Sequence, residues 1–148
     1  MRKRRMSVPA QVTIGILTVV LAIYLATALF FAKATSPFNS TRAQVIKIAK
    51  AQAGLKTAEA FGIATTDSTS YAVIGQDNSG KEIGVIIPKN NKNLTVVNMA
   101  DGISPEKLTE KNTSSVVLAL YKNKPAWEVN DSNGFKVYDF TSGKKLLG

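Results

Sequence analysis

The 148-residue chain contains no cysteine and no histidine, and these two absences exclude several kinds of chemistry. Without cysteine there is no disulfide, no thiol nucleophile and no lipid-modified cysteine as a membrane anchor, and the usual His/Cys zinc sites are excluded as well. A folded domain must therefore depend on its apolar core. The roughly 115 residues after the N-terminal segment are enough to bury one.

Strong charge is also lacking outside the N-terminal segment. The formal net charge is +9, but residues 34–148 hold 14 Lys and Arg against 10 Asp and Glu, a net charge of +4. This modest excess gives no case for nucleic-acid binding. Attraction to anionic wall polymers or to lipid headgroups stays open, beside the simpler interpretation of a solvated, lysine-rich surface.

One long apolar run stands out near the N-terminus. Val12–Ala32 contains 21 consecutive residues without a charge or a proline. As a helix it would be about 31 Å long, close to the thickness of a bilayer's hydrocarbon core, and it has no polar stripe. We therefore expect residues 12–33 to form a single transmembrane helix that contacts membrane lipid.

The charges beside this run predict its orientation. Four basic residues occupy positions 2–5, whereas Lys33 stands alone at the other end. Because the more basic flank stays in the cytoplasm, residues 1–11 are expected inside the cell and the C-terminal part outside. A cleaved signal peptide is the alternative, since Ala32-Lys33-Ala34 has the A-x-A form. The apolar core of a signal peptide is usually shorter, about 7–15 residues.

The first external unit is predicted for residues 34–100. Pro37 disfavours helical geometry in the residue before it, so the first helix should break there. Thr41 can then cap a second helix, Arg42–Ala53, whose small and apolar residues recur at helical spacing, with Gly54 as its stop. β-Branched runs and a turn-forming cluster predict a hairpin and one more short strand. The predicted strands are Tyr71–Ile74, Ile83–Ile87 and Leu94–Val97, and the turn is Asp77–Gly80.

A second external unit is predicted for residues 101–148. Ser104 is a good N-cap and Pro105 suits the first helical position, so a helix should begin there and reach about Lys111. Strands should follow at Val116–Tyr121, Trp127–Val129, Phe135–Phe140 and Leu146–Leu147. The order of elements repeats that of the first unit. The sequence thus predicts an α+β chain with a duplicated α-β-β-β unit and antiparallel sheets.

Two motifs resemble functional sites and have simpler interpretations. Ser104 and Lys107 fit the S-x-x-K pattern of penicillin-binding proteins and class A β-lactamases, but the partner motifs S-D-N and K-T-G are missing. A helix cap at Ser104 with an exposed Lys107 is therefore the preferred interpretation. Asp77–Glu82 resembles a calcium loop but lacks the alternating ligands and the distal glutamate, so it is interpreted as a hairpin turn.

The acidic and aromatic residues complete the search for a site. Nothing in the sequence brings two carboxylates together in a pocket, and we expect most of them to be solvated; the glutamates considered are Glu59, Glu82, Glu106, Glu110 and Glu128.

Trp127 is the only tryptophan, and with other aromatic residues it could form a partner-binding patch. Their alternation with polar residues favours a place in the core. The aromatic set is Tyr71, Tyr121, Trp127, Phe135, Tyr138 and Phe140.

The order of several segments resembles a known family. They are Y-A-V-I-G-Q-D at 71–77, V-I-I-P at 85–88, G-I-S-P-E-K at 102–107, W-E-V at 127–129 and Y-D-F-T-S-G-K at 138–144. Together with the N-terminal anchor, they resemble the TseB-like (YpmB-like) cell-wall elongation regulators of Gram-positive bacteria. Two of these segments contribute most to the resemblance: G-I-S-P-E-K, where the helix predicted from Ser104 begins, and Y-D-F-T-S-G-K, near the C-terminus.

The resemblance implies two PepSY-like or cystatin-like α+β units and a non-enzymatic role at the outer face of the cytoplasmic membrane. It implies association with a class B penicillin-binding protein during peptidoglycan synthesis. It brings no catalytic, cofactor or metal residues, and it does not define partner-binding residues. Two alternatives stay open: an inhibitor or chaperone of a secreted protease, and an enzyme of the serine–lysine kind.

Overall fold

The computed structural model describes residues 7–90 and 93–148. The basic cluster at positions 2–5 and part of the predicted loop after Pro88 lie outside the described residues. The described chain forms one long helix and two antiparallel four-stranded sheets, which confirms the predicted α+β class. By their contacts, residues up to Thr41 form one unit and residues from Arg42 onward form another.

The sheets are simple meanders, with strands paired in sequence order. The helix is α1, Val8–Ala53. The first sheet is β1 Leu55–Ala64, β2 Ser70–Asp77, β3 Glu82–Pro88 and β4 Thr95–Asn98. The second is β5 Thr113–Tyr121, β6 Lys124–Asp131, β7 Gly134–Asp139 and β8 Lys145–Leu147. Two short 3-10 turns lie between them, at Met99–Asp101 and Pro105–Leu108.

Helix α1 continues through Pro37, so the predicted break at this proline is wrong. A proline removes one backbone donor, and the turns on either side of it keep their own hydrogen bonds. Within this stretch the Ser40 hydroxyl donates to the Pro37 carbonyl at 2.9 Å. The helix ends after Ala53, where Gly54 adopts a φ of +70°, as its role as a helix stop requires.

The C-terminal turns of α1 pack on one face of the first sheet. Val45 and Ala49, four residues apart, are buried against Val73 and Val85 of strands β2 and β3. The prediction that a face of this helix packs on a sheet is therefore confirmed. This core joins the helix to the β2–β3 hairpin.

The other face of the first sheet packs on the second sheet. Ala72 and Ile86 share a core there with Leu118 and Trp127. Because β3 is covered on both faces, it is a continuous apolar run and not an alternating one. Gly84 lies where the two sheets approach closely, since a Cβ on it would be only 2.4 Å from Leu118 Cδ2.

The second sheet differs from the prediction at its start. The helix predicted from Ser104 to about Lys111 is wrong, because only the 3-10 turn Pro105–Leu108 forms there. No α-helix follows Ala53 in the described residues. Strand β1 was not predicted, so the first sheet has four strands where three were expected, whereas all four strands expected in the second unit form, as β5 to β8. The two hairpins that the repeat paired do correspond, as β2–β3 and β6–β7.

Candidate functional site

The N-terminal part of α1 exposes apolar side chains along its length. Within it, an 18-residue window has a mean hydropathy of 2.5 and no residue buried by protein. Tyr24, Leu29 and Phe30 are each at least 67% exposed. A helix this long and apolar is a candidate membrane span, and it is the one such helix among the residues that the structure describes.

Two of the segments that carry the family resemblance, residues 102–107 and 138–144, contact each other at the core between the two sheets. The indole Nε1 of Trp127 donates to the Ile103 carbonyl at 3.0 Å, and the Ile103 N–H donates to the Phe140 carbonyl at 2.8 Å. A Cβ on Gly102 would overlap the Phe140 ring, 2.3 Å from Cζ. Gly102 and Ile103, which precede the second sheet, are thus held between Trp127 and Phe140, the residue that follows β7.

The aromatic residues divide between core and surface. Trp127 and Phe140 are at most 4% exposed, with ring centroids 6.0 Å apart, and Tyr138 packs beside them. Tyr71 packs against the first core. Phe135, at 38%, is the most exposed of the set. The prediction that these residues mainly fill the core is confirmed for Trp127, which is too deeply buried to anchor a partner.

Ser104 and Lys107 do not form a serine–lysine pair. The Ser104 hydroxyl donates to the carboxylate of Glu106, and the motif lies on a 3-10 turn, so the one-turn α-helical spacing of the pattern is not formed. Ser104 is the N-cap residue of this turn and Pro105 follows it, as predicted, although the Ser104 hydroxyl makes no cap hydrogen bond. The backbone still turns here, with the Lys107 N–H donating to the Ser104 carbonyl at 3.1 Å.

The Asp77 loop is a hairpin turn, as predicted. Asp77 Oδ1 accepts from the N–H groups of Ser79 and Lys81 at 2.8 and 3.0 Å, and from the Ser79 hydroxyl. The hydrogen bond from Ser79 lowers the pKa of the Asp77 carboxyl. The same device recurs after β7, where hydrogen bonds from Ser142 lower the pKa of Asp139.

Three of the considered glutamates are exposed, as expected, and they line one cleft that the sequence did not indicate. Glu59, Glu82 and Glu106 surround a cleft of about 340 Å³ beside Ile74 and Met99. No group of three or more acidic residues in the described chain is arranged to hold a metal ion. The cleft therefore presents dispersed negative charge around an apolar wall.

Glu128 is a buried carboxylate, which the sequence did not reveal. It is 3% exposed, and its Oε2 accepts from the Thr65 N–H at 2.9 Å and the Thr66 hydroxyl at 2.7 Å. Its Oε1 accepts from Asn130 Nδ2 at 3.0 Å. One side chain of the second sheet thus holds the loop between β1 and β2 of the first.

That loop forms one wall of a polar groove of about 560 Å³ at the opposite end of the β2–β3 hairpin from Asp77. The groove lies between the β1–β2 loop, the end of β3, the start of β4 and the β5–β6 turn. Its lining residues are Asp67, Ser68, Pro88, Asn90, Asn93, Thr95, Leu120 and Asn123.

Comparison with known proteins gives two matches. A family model described as the cell wall elongation regulator TseB-like domain matches residues 44–88. Among solved structures, the YpmB protein from Bacillus subtilis is similar, with a TM-score of 0.58 and 25% identity over 68% of this chain and 90% of that one. No curated protein sequence matches the chain. The matched residues 44–88 run from the packed turns of α1 to the end of β3.

Proposed function

We propose that this chain is a TseB/YpmB-like regulator of cell-wall elongation that catalyses no reaction, as its sequence resemblance predicts and as both comparisons support. In this proposal it is anchored in the cytoplasmic membrane, its C-terminal part lies outside the cell, and it acts by binding a class B penicillin-binding protein. The family is described as a regulator, and the binding partner is our inference.

The family match over residues 44–88 is the observation that carries this proposal. It covers the segment in which Val45 and Ala49 of α1 pack on Val73 and Val85. The likeness is therefore to the structural core of the first sheet and its helix, and not to an isolated surface motif. The likeness to YpmB covers a larger share of the chain, 68%.

The exposed apolar helix supports the membrane location. Leu, Ile, Val and Phe side chains that are more than half exposed in water would bury their apolar area in lipid, at roughly 25 cal/mol per Å². The basic residues at positions 2–5 favour a cytoplasmic N-terminus. Residues from 34 onward would then face the wall.

Binding alone can regulate when both partners are confined to one membrane. The anchor raises the effective concentration of the external unit near other membrane proteins, so a weak interface is sufficient. The state of Ser104 supports a role without catalysis, because its hydroxyl is engaged by Glu106 and no lysine activates it. A binding role needs only an exposed complementary surface.

The test is to isolate the affinity-tagged chain at native expression after crosslinking in living cells and to label the eluate with fluorescent penicillin. The proposal predicts a labelled class B penicillin-binding protein. A matched variant in which an unrelated membrane span of equal length replaces residues 12–32 should retain the partner if the anchor only tethers. An eluate without any labelled protein would contradict the proposal, and recovery of a secreted protease in its place would support the protease-inhibitor alternative.

A further inference from the structure

The polar groove has features of a built ligand site. Within the described chain, the side chains of Ser68, Asn93, Thr95 and Asn123 line the groove and make no hydrogen bond to protein. Two carboxamides and two hydroxyls are thus available as donors and acceptors along one surface. Such unused hydrogen-bonding capacity is available to a polar ligand.

Unusual backbone conformations are concentrated at this groove. Asn93, Lys122 and Asn123 have φ values of 55°, 50° and 61°, and they are the non-glycine residues with positive φ in the described chain. Lys122 and Asn123 form the two-residue turn between β5 and β6, in the manner of a type I′ turn. Two of the lining residues, Asn93 and Asn123, thus have left-handed backbone conformations.

The β1–β2 loop, which forms one wall of the groove, is held by two sets of hydrogen bonds. Asp67 Oδ2 accepts from the Lys122 N–H at 3.0 Å, so the β1–β2 loop is tied to the β5–β6 turn. Glu128 holds the same loop through Thr65 and Thr66. Preorganisation of this kind lowers the entropy lost when a ligand binds.

The side chains that line the groove favour one class of ligand. The one charged side chain among the described lining residues is the carboxylate of Asp67, which would repel a phosphate-rich polymer. Amides, hydroxyls and a carboxylate can pair with the hydroxyl and acetamido groups of a sugar. Pro88 and Leu120 supply apolar surface for the C–H face of a sugar ring or an acetamido methyl group.

We propose that this groove binds an uncharged chain of N-acetylated sugars, the chemistry of a cell-wall glycan strand. This inference rests on the proposed function, because an external, wall-facing location brings such a ligand within reach. It adds a second contact to the proposed regulator, one with the polymer and one with the enzyme that makes it.

The test uses the full chain in lipid nanodiscs with the tetramer of N-acetylglucosamine as the probe and saturation-transfer NMR as the readout. Asn93→Gly with Asn123→Gly removes both carboxamides and suits the positive φ at each position. This double variant should weaken binding at least about tenfold, because it removes two groups that can hydrogen-bond to the sugar. The matched control, Asn78→Gly in the distant β2–β3 turn, should bind as the unchanged chain does.

A stability measurement and a second pair of substitutions complete the test. Equal thermal stability of the double variant and the control shows that any loss is local, and Ser68→Ala with Thr95→Val replaces the double variant if that protein does not fold. Absence of tetramer binding by the unchanged chain, or equal binding by the variants, overturns the inference. So does tighter, salt-sensitive binding of poly(glycerol phosphate). Because no penicillin-binding protein is present, a negative result here leaves the proposed function to its own test.

Discussion

Glu128 shows how one side chain can join two elements distant in sequence. Its carboxylate lies on β6, while its Thr65 and Thr66 partners lie 63 and 62 positions away, in the β1–β2 loop. A buried carboxylate is stabilised only when donors surround it. Three donors do so here, and none of them belongs to a charged side chain.

Glu128→Ala should lower the free energy of unfolding by about 2 kcal/mol, because the loop loses two hydrogen bonds to a charged acceptor. Urea unfolding of the detergent-solubilised chain measures this. Glu59→Ala removes an exposed carboxylate that has no hydrogen-bond or ion-pair partner in the described chain, and it should change stability by less than about 0.5 kcal/mol. Equal losses in the two variants would show that Glu128 does not hold the loop.

Gly102→Ala should also destabilise the protein, for a steric reason. A new Cβ would lie 2.3–2.7 Å from three Phe140 ring atoms, and that ring is 4% exposed, so it has little room to move. Overpacking of this kind costs about 1–3 kcal/mol. Unfolding measurements should show a smaller cost when Phe140→Leu is already present. Additive costs would contradict the proposed contact.

At the scale of elements, the hairpins are stabilised by the aspartates that end their strands. Lys136 Nζ lies 2.9 Å from Asp131 Oδ2, and this hydrogen-bonded pair lowers the pKa of the Asp131 carboxyl. Asp77 and Asp139 have lowered pKa values for the related reason that turn residues donate to them. Their ionised forms therefore favour the folded hairpins.

This pattern predicts acid sensitivity. A carboxyl with a folded-state pKa below its ordinary value of 3.8 contributes stability above pH 3.8 and loses it as the pH falls through the lower value. Asp131→Asn keeps a good turn residue and should flatten the fall in stability below about pH 4. Unfolding curves between pH 5 and 2, at low salt and high salt, measure the effect. An unchanged slope in the variant would contradict it.

The elements that the sequence predicted well are those with strong local signals. The β2–β3 hairpin combines apolar strands with the turn Asp77–Gly80, and the structure pairs its strands as expected. Strand β1 was missed because helix-favouring Lys, Ala and Glu fill it and because register shifts at Leu55/Thr57 and Ala58/Ala60 interrupt its alternation.

The predicted second helix failed for a different reason. The stretch after Ser104 offers Leu108 as its one large apolar residue before Lys111, so a longer helix would have little to bury. The site features were the least predictable. Neither the burial of Glu128 nor the polar groove follows from local pattern, because both depend on loops that meet only when the two sheets pack.

At the scale of the whole molecule, the chain has two parts, the apolar segment of α1 and the unit that begins at Arg42. The apolar segment of α1 is suited to lipid, and the residues from Arg42 onward form a unit with two cores. The TseB-like match lies entirely in that second unit. In the proposed function, the apolar segment tethers the second unit to the membrane, and that unit acts by binding.

Site-specific photocrosslinking in living cells tests this central claim most directly. A photoreactive residue is placed, one position at a time, at exposed sites such as Glu59, Asn78, Asn133 and Leu146, and at Phe30 in the anchor. The account predicts crosslinks to a class B penicillin-binding protein from a contiguous set of external positions at native expression. Crosslinks to wall-synthesis proteins from none of the external positions would contradict it.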